Sequence, residues 1–444
     1  MIDRTEELGL LETAWKKNTS EFIVLYGRRR IGKSKLIQEF IKNKEGVYFI
    51  AEDINKKVQI TELKNVLANY FNDDFLRRTE INEWRDLFDY LQKIIPSDKR
   101  FCLAIDEFSY LIKNDPAILS SLQKFWDLFL SKTKIFFIVS GSLFGLMTEQ
   151  VLSAASPLYG RRTRDILLTQ LRYKDAFQFL NMNKEEKFKV FFAIGGVPEY
   201  MLKATAYKNS NDFFTNEFFQ KNGYFYREPH FLFSQEFKEI RTYFTIVNAI
   251  SFGNTKPNEI ANFGGMKHRE IYPYLENLIR LGFIKKEISI LGKRKEGIYL
   301  IKDQMFDFWF NFVYNNRENI EKNNLILKID TSAYFGKRFE ILVREEIAPQ
   351  LFSNYNKIGR WWYQDKEIDI VALNEEKKEI LFAECKWSNI NYGEAKKNLE
   401  ELKEKSKFVN WQRKKEYFCI IAKKLKDKQK LRKEGYLAFD LEDF

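Results

Sequence analysis

Eight consecutive residues, Gly27-Arg28-Arg29-Arg30-Ile31-Gly32-Lys33-Ser34, put two glycines, a lysine and a hydroxyl at the spacing that grips a triphosphate. The glycines let the backbone turn back and aim its N–H groups inward. A helix beginning there adds partial positive charge. Lys33 is expected to reach the β- and γ-phosphates and Ser34 to hold Mg²⁺, so ATP and Mg²⁺ are the expected ligands. Arg28, Arg29, Arg30, Ile31 and Lys35 complete the binding stretch. A basic turn before an ordinary helix is the plainer reading, and the completeness of the motif speaks against it.

Two further sets of residues fit the same chemistry. The apolar run 101–105 ends in Asp106-Glu107. At the C-terminal edge of an α/β sheet, Asp106 would support Mg²⁺ through its water shell, and Glu107 would orient or deprotonate the attacking water. Solvated acids at a strand end are the alternative. The run 135–139 ends likewise in Ser140-Gly141-Ser142. Ser140 or Ser142 is either a sensor of the γ-phosphate or part of a tight turn. Arg161 and Arg162 offer an arginine finger, within the chain or to a neighbour, or only a surface ion pair.

The last set is Asp369, Glu384 and Lys386. Strand side chains alternate, so Glu384 and Lys386 share a face, and a hairpin brings Asp369 alongside. Two carboxylates and a lysine on one face bind Mg²⁺ and activate water for phosphodiester cleavage. A cross-strand ion pair on an exposed sheet is the alternative.

These residues need elements to position them. An apolar run over 22–26 precedes the glycine loop, and Leu36, Ile37, Phe40 and Ile41 follow it at helical spacing. A second strand is expected over 46–50 and mostly helix over 58–91. Residues 168–219 read as a small helical lid. Helices over 236–250, 254–261 and 267–281, then a hairpin around Gly292-Lys293-Arg294-Lys295, make the winged-helix pattern. On a DNA reading, Lys267, His268 and Arg269 meet base edges while Lys293, Arg294 and Lys295 track phosphates. The other reading is a rigid packing module. A buried aromatic helix is expected over 305–313, then a polar linker. The C-terminal part reads as a helix over 335–350, strands over 358–363, 367–373 and 380–387, a helix over 394–408, and strands over 417–422 and 436–441.

Composition sets the outer limits. A chain of 444 residues holds several domains, and 45% hydrophobic with 31% charged residues is globular rather than disordered. The net charge of +12 favours polyanionic partners, DNA before RNA. Cys102, Cys385 and Cys419 lie in apolar runs and read as reduced core residues. Only His230 and His268 are present, which argues against a His-rich zinc site or a His relay. The charged first residues do not fit a signal peptide, and no apolar run spans a bilayer. The expected address is the cytoplasm, with no membrane partner; a homo-oligomer or protein partner stays open.

The phosphate loop, Asp106-Glu107, Ser140-Gly141-Ser142 and Leu158-Tyr159-Gly160-Arg161-Arg162 together resemble the archaeal-type ATPase family, within the AAA+-related signal-transduction (STAND) NTPases. Gly195-Gly196-Val197-Pro198-Glu199-Tyr200 resembles the Gly-x-Pro element of that family's helical lid, which implies that Pro198 lies near bound nucleotide. Asp369 followed by Glu384-x-Lys386, after an α-β-β start, resembles the PD-(D/E)xK nuclease superfamily; Glu340 then matches its extra metal-binding acid, while Ile368 stands where many members carry proline.

The expected fold is therefore α/β: a P-loop NTPase parallel sheet (1–166), a helical lid (167–232), a winged-helix domain (233–313), a linker (314–333) and a restriction-endonuclease-like domain (334–444). The expected function is an ATP-hydrolysing switch coupled to a Mg²⁺-dependent, nuclease-like domain acting on nucleic acid. The alternative is a nucleotide-regulated DNA-binding or scaffold protein whose nuclease-like domain is inactive.

Overall fold

A computed structural model describes residues 4–293, 296–322 and 330–444. The expected wing residues Arg294 and Lys295, and part of the expected linker, lie outside the described residues. The chain divides into two compact units. The first comprises Met1–Leu171, Gly196–Lys203 and Gln235–Lys238, and the second comprises Arg172–Gly195, Ala204–Ser234 and Glu239–Phe444. These units group the chain more coarsely than the five expected domains.

The first unit is built on five strands: β1 (Glu21–Tyr26), β2 (Gly46–Ile50), β3 (Phe101–Asp106), β4 (Ile135–Gly141) and β5 (Arg164–Leu167). Their order is β2-β3-β4-β1-β5, and every pair is parallel. The continuous apolar runs follow from burial on both faces. Phe22 and Val24 join one core layer with Leu103, Ile105, Phe137 and Val139. Ile23 and Leu25 join the other with Cys102, Ala104, Phe136 and Ile138. The parallel arrangement brings the ends of β1, β3 and β4 to one edge, where loop residues can converge.

In the second unit, helices Arg241–Ser251, Pro257–Phe263 and Tyr272–Arg280 precede an antiparallel pair, β6 (Ile284–Glu287) and β7 (Ile298–Ile301). The third helix begins at Tyr272 rather than at Lys267, with Pro273 in its first turn. Lys267, His268 and Arg269 are exposed in the turn before it. A proline there suits a helix start, because the first turn needs no N–H from it. Much of the aromatic content is core: Phe188, Phe192, Phe213, Phe308 and Trp309 are fully buried or nearly so. The expected linker is partly helical, with Ile320 buried in the helix Arg317–Glu321.

The C-terminal sheet contains β8 (Lys357–Tyr363), β9 (Lys366–Asn374), β10 (Glu379–Ile390), β11 (Lys415–Leu425) and β12 (Leu437–Asp440) in the order β12-β11-β10-β9-β8. Strands β8, β9 and β10 pair antiparallel, and β10, β11 and β12 pair parallel. The helix Tyr392–Ser406 buries Leu399 and Leu402 in core clusters of this sheet. All three cysteines are buried and free. Among the described residues, no helix is long and apolar enough to cross a membrane.

Candidate nucleotide site and second acidic site

The glycine loop leaves β1 at Gly27, whose φ of +151° and surroundings admit no side chain: a Cβ there would stand 2.3 Å from the Leu168 carbonyl oxygen. Arg30 (φ 70°) and Gly32 (φ 92°) take left-handed backbone, and Gly32 caps the helix Lys33–Ile41. The loop therefore folds back over a helix N-terminus, with its positive end facing the turn. Lys33 is buried, and its Nζ donates to the carbonyls of Gly27 (3.0 Å) and Arg28 (2.9 Å). Burial lowers its pKa, against the opposing pull of Glu107 and Asp106. Lys35 is exposed on the helix.

The three arginines of the loop differ in their partners. The Arg29 guanidinium donates to the Tyr110 hydroxyl. Arg30 pairs with Glu199 at 3.5 Å and lies over the Tyr200 ring, so the residues just after Pro198 reach the loop. Arg28, together with Arg29, opposes the upward shift that burial gives the Glu236 carboxyl. Gly196 makes the Pro198 segment's placement possible: its carbonyl accepts from Leu171 N–H at 2.8 Å, and a Cβ on it would fall 1.9 Å from the Leu171 oxygen.

The two adjacent acids diverge. Asp106 is fully buried at the end of β3. Its Oδ1 accepts from the Ser140 hydroxyl and, at 3.0 Å, from Glu107 N–H, while its Oδ2 accepts from the Tyr48 hydroxyl at 2.6 Å. Burial and Asp106 push the Tyr48 phenol's pKa up. Glu107 has a left-handed backbone (φ 53°), which turns its carboxylate toward Ser142.

Arg161 and Arg162 stand elsewhere. Arg161 forms a two-pronged pair with Asp127 (2.9 and 2.8 Å), and Arg162 pairs with Asp165 at 2.7 Å and donates to the Val151 carbonyl. Both precede β5, where Thr163 N–H bonds the Phe22 carbonyl near the start of β1. That is the end of β1 away from the glycine loop, and both side chains are engaged in ion pairs.

The sequence reading missed Arg4, Tyr48 and Glu236. Arg4 is buried and donates to the carbonyls of Ile31 (2.9 Å) and Thr169 (2.6 Å), which ties the glycine loop to the segment after β5. Glu236 accepts from Phe144 N–H at 3.3 Å, just beyond Ser142.

In the second unit, a β-bulge forms the acidic site. Gly359 pairs with Val371 and Trp361 with Ile368, so two steps on β8 span three on β9. Such a bulge bends the strand and re-aims a side chain. Asp369 lies within it, and its carboxylate accepts from Cys385 N–H at 2.8 Å. Burial raises its pKa well above the usual carboxylate range, reinforced by Glu384 and Glu340. Lys386 donates to Glu384 at 2.9 Å, and Lys405 reaches the same carboxylate at 3.4 Å. Burial lowers the Lys386 ammonium's pKa, but Glu384, Asp369 and Glu340 outweigh it, so the net shift is upward. Carboxylate oxygens of Glu340, Glu367 and Asp369 lie within 4.8 Å of one another. Glu367 was not anticipated; its position two residues before Asp369 was the available signal.

A family model described as an ATPase domain predominantly from Archaea matches residues 1–204. A second, described as archaeal and bacterial proteins of unknown function, matches residues 309–398. An uncharacterized protein of Methanocaldococcus jannaschii is 35% identical over 454 residues, covering 100% of this chain and 99% of its own. The Walker-type ATPase of Pyrococcus abyssi is similar at 20% identity and a TM-score of 0.47, over 70% of this chain and 96% of that one. The ORC2 protein of Aeropyrum pernix, solved with ADPNP and ADP, is similar at 12% identity and a TM-score of 0.44, over 73% and 95%. Residues 1–204 are thus an ATPase domain of the predominantly archaeal type, and the whole chain belongs to one family with the Methanocaldococcus jannaschii protein.

Proposed function

We propose that this protein is an ATP-hydrolysing switch whose nucleotide state governs a Mg²⁺-dependent, nucleic-acid-acting C-terminal domain. What supports the first half is the convergence of Lys33, Asp106, Glu107 and Ser140 at the C-terminal ends of the neighbouring strands β1, β3 and β4. Residues Gly27 to Lys35 bind the triphosphate, with Lys33 on the β- and γ-phosphates. Ser34 and Asp106 hold Mg²⁺, and their all-oxygen donor set suits a hard cation. When bound, Mg²⁺ neutralises charge on the phosphate oxygens. Glu107 orients the attacking water, Ser140 reports on the γ-phosphate, and Pro198 flanks the nucleotide.

In the C-terminal domain, Glu340, Asp369 and Glu384 are the proposed magnesium ligands, and Lys386 steadies charge on the scissile phosphate. The three helices with β6 and β7 are read as a winged helix, and DNA as the preferred partner. We keep the five-domain division, and the cytoplasm, as part of this reading. One observation favours the second reading, binding without cleavage: Glu384 is already engaged by the ammonium groups of both Lys386 and Lys405.

The test follows phosphate release and strand length together, with ATP, Mg²⁺ and mixed DNA and RNA. Lys33→Ala is expected to abolish ATP turnover in a folded protein, and unchanged turnover overturns the switch. Asp369→Ala is expected to abolish cleavage. Salt-sensitive DNA retention without cleavage in the wild type selects the second reading.

A further inference from the structure

We propose that Tyr48 is a positioning residue of the nucleotide site, fixing Asp106 for the hydrated divalent cation that accompanies ATP. The proposal rests on the reading of Asp106 and Ser34 as the residues that hold that cation.

The geometry comes from β2, the strand beside β3. Tyr48 stands opposite Ala104, two residues short of the Ile50–Asp106 pair. The small side chains of Cys102 and Ala104 line this face of β3, and Tyr48 packs against the layer they belong to. Its ring can therefore lie along the sheet, and its hydroxyl reaches Asp106 Oδ2 at 2.6 Å.

One phenol on β2 thus holds the acid at the end of β3. A tyrosine hydroxyl has a single proton to donate and lone pairs to accept with. Here that proton goes to Asp106. Ser140 holds the other Asp106 oxygen from the opposite side, on β4. The carboxylate is clamped between two strands, and its rotation is spent before a cation arrives. Groups that orient a metal-binding side chain in this way set affinity nearly as strongly as the ligands do.

The experiment titrates Mn²⁺, followed by its electron paramagnetic resonance signal, into full-length protein holding a non-hydrolysable ATP analogue. Tyr48→Phe keeps the ring and removes only the oxygen. It is expected to weaken Mn²⁺ binding by about tenfold, with affinity for the analogue in EDTA unchanged and the Mg²⁺ concentration for half-maximal turnover raised. Asp106→Asn is expected to remove Mn²⁺ binding. If Asp106→Asn loses Mn²⁺ while Tyr48→Phe binds it like wild type, the role of Tyr48 is overturned and the Asp106 reading stands. If wild type with the analogue holds no Mn²⁺, the underlying site reading falls and this proposal falls with it. Should Tyr48→Phe lack a cooperative melting transition, Tyr48→Leu replaces it: weaker Mn²⁺ binding supports the proposal and unchanged binding overturns it.

Discussion

Ser142 holds the Glu107 carboxylate twice, its hydroxyl donating at 2.6 Å and its N–H at 3.1 Å, both to Oε2. An oxygen so engaged is oriented by the end of β4 instead of being free to take a proton from water. The left-handed backbone that aims it there costs about 1–3 kcal/mol for a non-glycine residue. Such cost persists where the surroundings enforce the geometry. Glu107→Gln is expected to lower kcat by about 10²-fold or more with ATP affinity retained. Ser142→Ala is expected to raise basal kcat severalfold at unchanged KM. Phosphate release and fluorescent-nucleotide binding read the two quantities separately, and equal kcat in Ser142→Ala and wild type counts against restraint by Ser142.

Arg4 acts from behind the glycine loop. Arg4→Ala leaves the carbonyls of Ile31 and Thr169 without their buried donor. The expected cost is about 1–3 kcal/mol, with faster amide exchange over Ile31 to Lys33 and a raised KM for ATP. Hydrogen-exchange mass spectrometry checks the local effect.

Gly196→Ala tests the Pro198 segment. A methyl group 1.9 Å from the Leu171 oxygen forces the two backbones apart and breaks the 2.8 Å bond between them. Nucleotide affinity is expected to fall while a cooperative melting transition remains. Wild-type affinity in this variant removes the segment from the site.

Glu346 supplies a pH dependence in the second unit. Burial raises its carboxyl's pKa, against the bond from Tyr173 N–H and the charge of Arg172. A raised acid binds its proton more tightly folded than unfolded. Its contribution is therefore favourable at low pH and is lost as pH rises from the ordinary carboxylate range through the raised value. Glu346→Gln is expected to melt higher than wild type at neutral pH, with the gap closing as the solution is acidified. A gap that stays constant with pH overturns the assignment.

Much of the candidate nucleotide site was legible because its signals are local. Gly27, Gly32, Lys33 and Ser34 lie within one turn and one helix start, and Asp106 ends the strand that buries the residues before it. Tyr48 and Arg4 were not legible, since their partners lie 58, 27 and 165 residues away and neither side chain belongs to a motif. For Arg161 and Arg162 the sequence left an arginine finger and a surface ion pair both open. They precede a strand parallel to β1, and that places them at the edge where β1 begins. In the second unit, alternation put Glu384 and Lys386 on one face, and Lys386 donates to Glu384. The grouping of Glu367 with Asp369 went unseen although the two lie two residues apart on β9, because the β-bulge beside them leaves no mark in the sequence. The helix beginning at Tyr272 is shorter than expected at its start, because Pro273 sets the first turn.

The polypeptide passes from one compact unit to the other five times, after residues 171, 195, 203, 234 and 238. Neither half can therefore be excised by choosing a single stop codon or a single protease nick. A fragment ending at Leu171 carries all five parallel strands yet forfeits Pro198, Glu199 and Glu236, so low activity in such a truncation would report missing pieces rather than a silent catalyst. Stitching of this kind also makes limited proteolysis informative, since fragments released by one cut should stay associated until a denaturant pulls them apart.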